Sequence, residues 1–208
     1  MGGAAEILPR CSEHWTSVMK LENGDQNIVV SLGTDHHRFD RAVDWIDDWL
    51  ETQETQPRCL IQHGSSRQPR QGNGVDRMPR TDLLDLYAGA DAVIVQGGPG
   101  SILDVREMGK IPIAIPRRPE LDEVVDGHQI AFARFMASQG EALLAESADD
   151  MDRLLKLILA DPNHFSTPPR HADAGHAAGL LAAALDTLES HQRHDAMISR
   201  LRQMWGHH

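Results

Sequence analysis

Apolar residues fall into two alternating rhythms along this chain. Residues 27–32, Asn-Ile-Val-Val-Ser-Leu, make a short apolar run that ends at Gly33-Thr34. That is the pattern of a strand buried on both faces and entering a tight turn. Over residues 39–51 the period changes: Ala42, Val43, Ile46, Trp49 and Leu50 recur every three or four residues, while Asp44, Asp47, Asp48 and Glu51 take the other face. This spacing predicts an amphipathic helix packed on a sheet.

The same unit then repeats. Residues 58–62 (Arg-Cys-Leu-Ile-Gln) read as a strand, residues 63–79 as a loop rich in Gly, Ser, Arg, Gln and Pro, and Thr81 as the cap of a short helix through Tyr87. The apolar run 92–95 (Ala-Val-Ile-Val) is a further strand, ending in Gln96-Gly97-Gly98-Pro99-Gly100-Ser101 before a helix over 102–108 that stops at Gly109-Lys110. A strand at 111–116, an Arg- and Pro-rich loop, a helix over 126–138, a short strand at 142–145 and a helix over 149–160 complete the alternation. Strands and helices alternating at this spacing predict an α/β fold, a Rossmann-like parallel sheet with helices on both faces.

The flanks differ from this core. Residues 1–26 show no clear period and are assigned to an N-terminal extension with room for a short edge strand; residues 27–160 form the Rossmann-like domain. Residues 161–208 are assigned to a helical C-terminal tail, with an Ala- and Leu-rich helix over 174–188 and a shorter one over 196–205 that pack either on the domain or on a partner.

Composition narrows the function. The chain has 208 residues, 40% hydrophobic and 25% charged, which is ordinary globular usage. A formal charge of −11 opposes the phosphate backbone of a nucleic acid, so no nucleic-acid partner is expected. Two cysteines, Cys11 and Cys59, stand far apart without metal spacing, consistent with free thiols in a reducing compartment. No signal-length or membrane-spanning apolar run is present, which predicts a cytoplasmic protein.

In a doubly wound sheet, ligands bind beyond the carboxyl ends of the strands. The loop at Gln96, Gly97, Gly98, Gly100 and Ser101 follows a strand and opens a helix, so its backbone can approach an anion that the helix N-terminus favours. The same turn also occurs simply to reverse the chain. Asp104, three residues after Ser101, has the spacing of a capping box, or of a carboxylate one turn into the helix that accepts from the two hydroxyls of a ribose. Gly33-Thr34 offers a second backbone clamp for phosphate. The neighbouring His36-His37 pair gives little support for a metal, because adjacent side chains diverge on regular elements and no third ligand stands at metal spacing. Asp126 reads as a helix cap, with His128 and Gln129 at the helix start able to donate to a sugar. Four arginines over 67–80 make either a lid that draws in phosphates or a solvated loop.

Taken together, three stretches carry a resemblance to the C-terminal, UDP-sugar-binding domain of family 28 glycosyltransferases, one half of the GT-B architecture. They are residues 29–34 with Phe39, residues 61–65 (Ile-Gln-His-Gly-Ser), and residues 90–104 continuing through 109–117 to Asp126-Gly127-His128-Gln129. Within that family the chain is similar to the donor-binding subunit of split N-acetylglucosaminyl- and exopolysaccharide glycosyltransferases. The resemblance implies that Gly98, Gly100 and Ser101 hold a diphosphate, that Asp104 takes the ribose, and that His128 and Gln129 face the donor sugar. It also implies no cofactor and no required metal. The partners it implies are a UDP-sugar, a lipid-linked saccharide acceptor and a membrane-associated acceptor-binding subunit that recruits the protein to the inner face of the membrane. Gln96 stands where relatives commonly have His, and Asp104 where they commonly have Glu. Gln can donate a hydrogen bond but cannot shuttle a proton, so no residue is assigned as the general base. The alternative is a nucleotide-sugar-binding regulatory module without turnover. A dinucleotide oxidoreductase fits less well, because the first strand-to-helix turn lacks the glycine spacing.

Overall fold

A computed structural model of the chain describes residues 26–169 and Gly179. Residues 1–25 of the N-terminal extension, with Cys11, the helices expected over 174–188 (Gly179 apart) and 196–205, and the terminal histidines lie outside the described residues.

The element order is β1 (Asn27–Ser31), α1 (Asp40–Glu51), β2 (Arg58–Gln62), β3 (Asn73–Val75), α2 (Arg80–Gly89), β4 (Ala92–Gln96), α3 (Pro99–Glu107), β5 (Ile113–Ile115), α4 (His128–Ser138), β6 (Leu143–Leu144) and α5 (Ala148–Ala160). Short 3-10 turns stand at Pro119–Leu121 and Pro162–Phe165. All six strands are parallel in the order β3-β2-β1-β4-β5-β6. The Rossmann-like α/β expectation therefore holds, and the order reverses between β1 and β4, the switch point at which such sheets bind ligands.

Strand alternation divides the core into two layers. Ile28 and Val30 of β1, Ile61 of β2, Ile94 of β4 and Ile113 and Ile115 of β5 pack against Ala42, Val43, Ile46 and Leu50 of α1 and Met151, Leu155 and Ile158 of α5. The intervening residues Val29, Leu60, Val93, Val95 and Ala114 face Leu83, Leu86 and Tyr87 of α2, Ile102 and Val105 of α3 and Phe132, Ala133 and Met136 of α4. The central stretches of β1, β2, β4 and β5 are apolar on successive positions because both of their faces are covered.

Several boundaries differ from the sequence expectation. The segment assigned to a loop over 63–79 contains β3, whose sequence Asn-Gly-Val lacks an apolar run because it is an edge strand, partly exposed and three residues long. Helix α2 begins at Arg80 behind Pro79 and has no side-chain cap, so Thr81 does not cap it. Helix α3 begins at Pro99, three residues earlier than expected, because proline suits the first helical position, where a missing N–H costs nothing.

Asp47 is fully buried although it lies on the acidic face of α1. Its carboxylate accepts from the backbone N–H groups of Arg70 (3.0 Å) and Gln71 (2.9 Å) and pairs with Arg67 Nη2 at 2.7 Å. Arg67 also pairs with Asp44, and Arg70 with Asp48 at 2.9 Å. The arginine-rich segment is thus tied to α1 by these acids, and neither a phosphate-seeking lid nor a merely solvated loop describes Arg67 and Arg70.

Candidate functional site

The loops after β1, β2, β4 and β5 meet at the carboxyl edge of the sheet. Gly33 ends β1 with φ +81°, a left-handed conformation that glycine adopts without strain, and a Cβ there would stand 3.4 Å from Nε2 of Gln96. Gly64, after β2, also has positive φ, and a Cβ on it would collide with the carbonyl oxygen of Gly33. On the other side, a Cβ on Gly97 would lie 2.9 Å from Cα of Pro116 and 3.2 Å from the carbonyl oxygen of Gln129. Glycines thus let four backbone turns approach one another, which places Gly33, Gln96, Gly97, Gly98, Ser101 and Gln129 side by side.

Gln96 shapes the loop internally. Its Oε1 accepts from the backbone N–H of Gly98 at 3.0 Å, and its Nε2 donates to Oγ of Ser101 at 3.2 Å. Gly98 is the residue before α3 and its carbonyl accepts from Ile102 N at 3.3 Å. The N–H groups of Gly100 and Ser101, in the first turn of a helix, have no intrahelical acceptor and carry the positive end of the helix dipole. Gly98 N–H is already engaged by Gln96, so the helix-end donors that this turn can offer a ligand are those of Gly100 and Ser101.

The capping-box reading of Ser101 and Asp104 is not what the structure shows. Ser101 lies inside α3, whose N-terminal boundary residue is Gly98, and no side chain caps that end. Asp104 instead forms an ion pair with Arg80 of α2: Nη2 to Oδ1 at 2.7 Å, with Nε 3.2 Å from each oxygen. Arg80 also reaches Glu107 Oε2 at 3.0 Å. The bond to Asp104 is the main cause that holds the Arg80 guanidinium pKa above its ordinary value.

Past β5, α4 starts at His128, two residues later than expected, and its boundary residue is Gly127 without a side-chain cap; Asp126, just before it, accepts from His128 N at 3.0 Å and pairs with its Nδ1 at 3.0 Å. His128 is exposed, with its ring turned to Asp126. Gln129 is closer in: its backbone carbonyl lies against Gly97, and its side-chain Oε1 is buried without a hydrogen-bond partner. Thr34 is exposed, and its carbonyl is 3.5 Å from Nη2 of Arg77.

The expected divergence of the adjacent histidines does not occur. Asp35 Oδ1 accepts from the backbone N–H of His37 at 2.8 Å and contacts its Nδ1 at 2.7 Å, while His36 Nδ1 is 3.6 Å away. Asp35 thus supplies the third donor that the spacing did not show: one carboxylate oxygen and two ring nitrogens that could hold an ion lie within 4.8 Å of one another. The backbone bond from His37 is the main cause lowering the Asp35 pKa. A turn closed on Asp35 accounts for the convergence without an ion.

Sequence reasoning missed a buried basic node beneath these loops. Arg117, 1% exposed, donates through Nη1 to the carbonyls of His37 (2.9 Å) and Glu123 (2.8 Å) and through Nη2 to that of Leu32 (2.9 Å). Its guanidinium carbon lies 4.8 Å from the centre of the Phe39 ring. Burial lowers its pKa. Buried Glu123 pairs with Arg41 at 2.8 Å and accepts from Arg118 N at 2.8 Å. A cavity of about 590 Å³ opens above, between His36, His37 and Arg41 on one side and Leu121 and Glu123 on the other. The Arg-Arg pair after β5 gave no sign of this, since an arginine at a strand end ordinarily faces solvent.

A parallel sheet with the Rossmann strand order, and a glycine turn leading into a helix at its switch point, define a doubly wound, Rossmann-like α/β domain. The particular family is settled by sequence: residues 27–182 match the glycosyltransferase family 28 C-terminal domain, and the chain belongs to that family. One similar protein is the UDP-N-acetylglucosamine--N-acetylmuramyl-(pentapeptide) pyrophosphoryl-undecaprenol N-acetylglucosamine transferase of Burkholderia thailandensis, 32% identical over 85 residues, or 40% of this chain and 22% of that protein. The transferase of the same name from Burkholderia mallei is 32% identical over 74 residues, covering 36% and 19%. The matched segment thus spans about a fifth of the length of these relatives. Among solved structures, MurG of Acinetobacter baumannii superposes with a TM-score of 0.50 at 17% identity, covering 71% of this chain and 44% of that one, which supports the fold. Among the described residues, no helix is long and apolar enough to cross a membrane.

Proposed function

We propose that this domain binds a UDP-sugar and transfers its sugar to a lipid-linked saccharide, together with a separate membrane-associated subunit that holds the acceptor. The observation that carries the reading is the loop from Gln96 to Ser101 at the switch point, with free helix N–H groups at Gly100 and Ser101 and Asp104 one turn further into α3. The diphosphate sits on the helix N-terminus, Asp104 accepts from the ribose hydroxyls, and Gln129 with His128 faces the sugar. As the sugar leaves, charge develops on the diphosphate, and the oriented N–H groups and helix dipole stabilise it without a metal. Membership of family 28 and the names of the Burkholderia relatives, which specify a UDP-sugar donor and a lipid-linked acceptor, support the same chemistry.

Transfer also needs the acceptor held in near-attack geometry, an advantage of up to about 7–11 kcal/mol that one wall of a cleft does not supply. We assign that wall to the partner, which would also bring the protein to the inner face of the membrane, and place its contact along the loops after β1 and β2. The test is transfer of radiolabelled sugar from a UDP-sugar into membrane lipid, by the protein alone and co-expressed with the candidate partner. Transfer that requires both supports the reading. Robust turnover by the protein alone overturns the two-subunit arrangement, and UDP binding without transfer in any combination favours a regulatory module.

A further inference from the structure

The proposed use of Asp104 leaves Arg80 to be explained. Arg80 opens α2 at the carboxyl edge of the sheet, and its guanidinium covers both oxygens of Asp104, at 2.7 Å from Nη2 and 3.2 Å from Nε. A ribose approaching Asp104 must therefore compete with Arg80 for the carboxylate. The two side chains differ in freedom: that of Arg80 is 59% exposed and that of Asp104 23%. Exposed ion pairs hold weakly, so this one can open when a competing anion arrives. Such an anion has a place nearby. Asp104 stands four residues into α3 from Gly100, about 6 Å along the helix axis, within the span of an arginine side chain that swings toward the helix N-terminus.

Resting on the nucleotide reading above, we propose that Arg80 makes the ribose position selective for nucleoside diphosphates over nucleosides. A diphosphate on the first turn of α3 draws the guanidinium off Asp104, pairs with it, and leaves the carboxylate free for the ribose hydroxyls. A nucleoside brings no counter-charge, and its ribose must break the ion pair unaided. Arginine suits this exchange because its planar fork matches carboxylate and phosphate alike. Glu107, 3.0 Å from Nη2 and at the far end of α3, belongs to the resting position and is released in the same swing.

Competition titrations of UDP and uridine against the wild-type protein and its Arg80→Ala, Arg80→Gln and Arg80→Lys variants test the proposal, with a thermal melt of each to confirm folding. Arg80→Ala and Arg80→Gln are expected to weaken UDP about tenfold while strengthening uridine, so that the ratio of the two affinities falls by tenfold or more. Arg80→Lys keeps the charge without the fork and is expected to fall between. Wild-type binding of UDP with an unchanged ratio in the folded Ala and Gln variants overturns the role of Arg80 and leaves the nucleotide reading standing. Failure of the wild-type protein to bind UDP overturns that reading itself, and the Arg80 role with it.

Discussion

Arg117, just past β5, donates through Nη2 to the carbonyl oxygen of Leu32, just past β1, at 2.9 Å, spanning the end of β4 between them. The same side chain satisfies the carbonyls of His37 and Glu123, so one buried guanidinium ties together the loops on both sides of the glycine turn. Arg117→Met keeps the apolar stem and strands three acceptors, each worth about 1–3 kcal/mol when buried without a donor. We expect a loss of about 3–5 kcal/mol by urea denaturation. Arg117→Lys should fall between, because an ammonium cannot reproduce the planar fork. Near-wild-type stability of Arg117→Met would mean that the carbonyls find water instead.

Two glycines of the same turn should behave oppositely. A methyl on Gly97 meets the Pro116 backbone at 2.9 Å and the Gln129 carbonyl at 3.2 Å, neither of which is a flexible side-chain end. Gly97→Ala is expected to cost about 1–3 kcal/mol. Nothing lies within 4 Å of a Cβ on Gly100, and replacing a helical glycine by alanine favours the fold by about 0.5–1 kcal/mol. Gly100→Ala should therefore melt no lower than wild type yet bind UDP more weakly, since the methyl points into space assigned to the ligand. Unchanged UDP affinity in Gly100→Ala would move the diphosphate away from this turn.

Cys59 gives a pH dependence of definite sign. Burial in β2, reinforced by the charge of Asp47, pushes its thiol up to about 12, whereas an unfolded cysteine ionises near about 8.5. Between these values the unfolded chain has lost a proton that the folded chain keeps, so this group's contribution makes stability fall as pH rises. Denaturation midpoints measured from pH 7 to 10 should decline less steeply in Cys59→Ala than in wild type. In a Cys11→Ser background, Cys59 should resist thiol reagents until the protein unfolds; rapid native labelling at pH 8 would contradict its burial.

The sheet was legible in the sequence because apolar runs such as residues 28–30 and 92–95 can be buried on both faces only between helices. The three-residue β3 escaped notice because its Asn-Gly-Val has no such run, its pairing being decided by the neighbouring β2. At the candidate site, the glycines and Asp104 could be placed from their position after a strand. Arg80 and Arg117 could not be distinguished from other loop arginines, since their roles depend on partners 24 and 85 residues away in the chain. The burial of Asp47 was hidden for the same reason: its amide donors come from residues 70 and 71.

Asp104 finally separates a surface ion pair from a ligand contact. Asp104→Asn removes the negative partner of Arg80, and an exposed pair of this kind contributes about 0–1 kcal/mol, so the melting temperature should barely move. Charge-assisted bonds to two ribose hydroxyls are worth more, about 1.5–3 kcal/mol each when well made. Calorimetric titration should therefore show UDP affinity lowered by about tenfold or more in Asp104→Asn. The wild-type titration should be the same with and without a chelator of divalent cations, because the helix N-terminus carries the diphosphate charge. Binding that vanishes on chelation would transfer that charge to a metal. Unchanged UDP affinity in Asp104→Asn would leave its carboxylate with no task beyond holding Arg80.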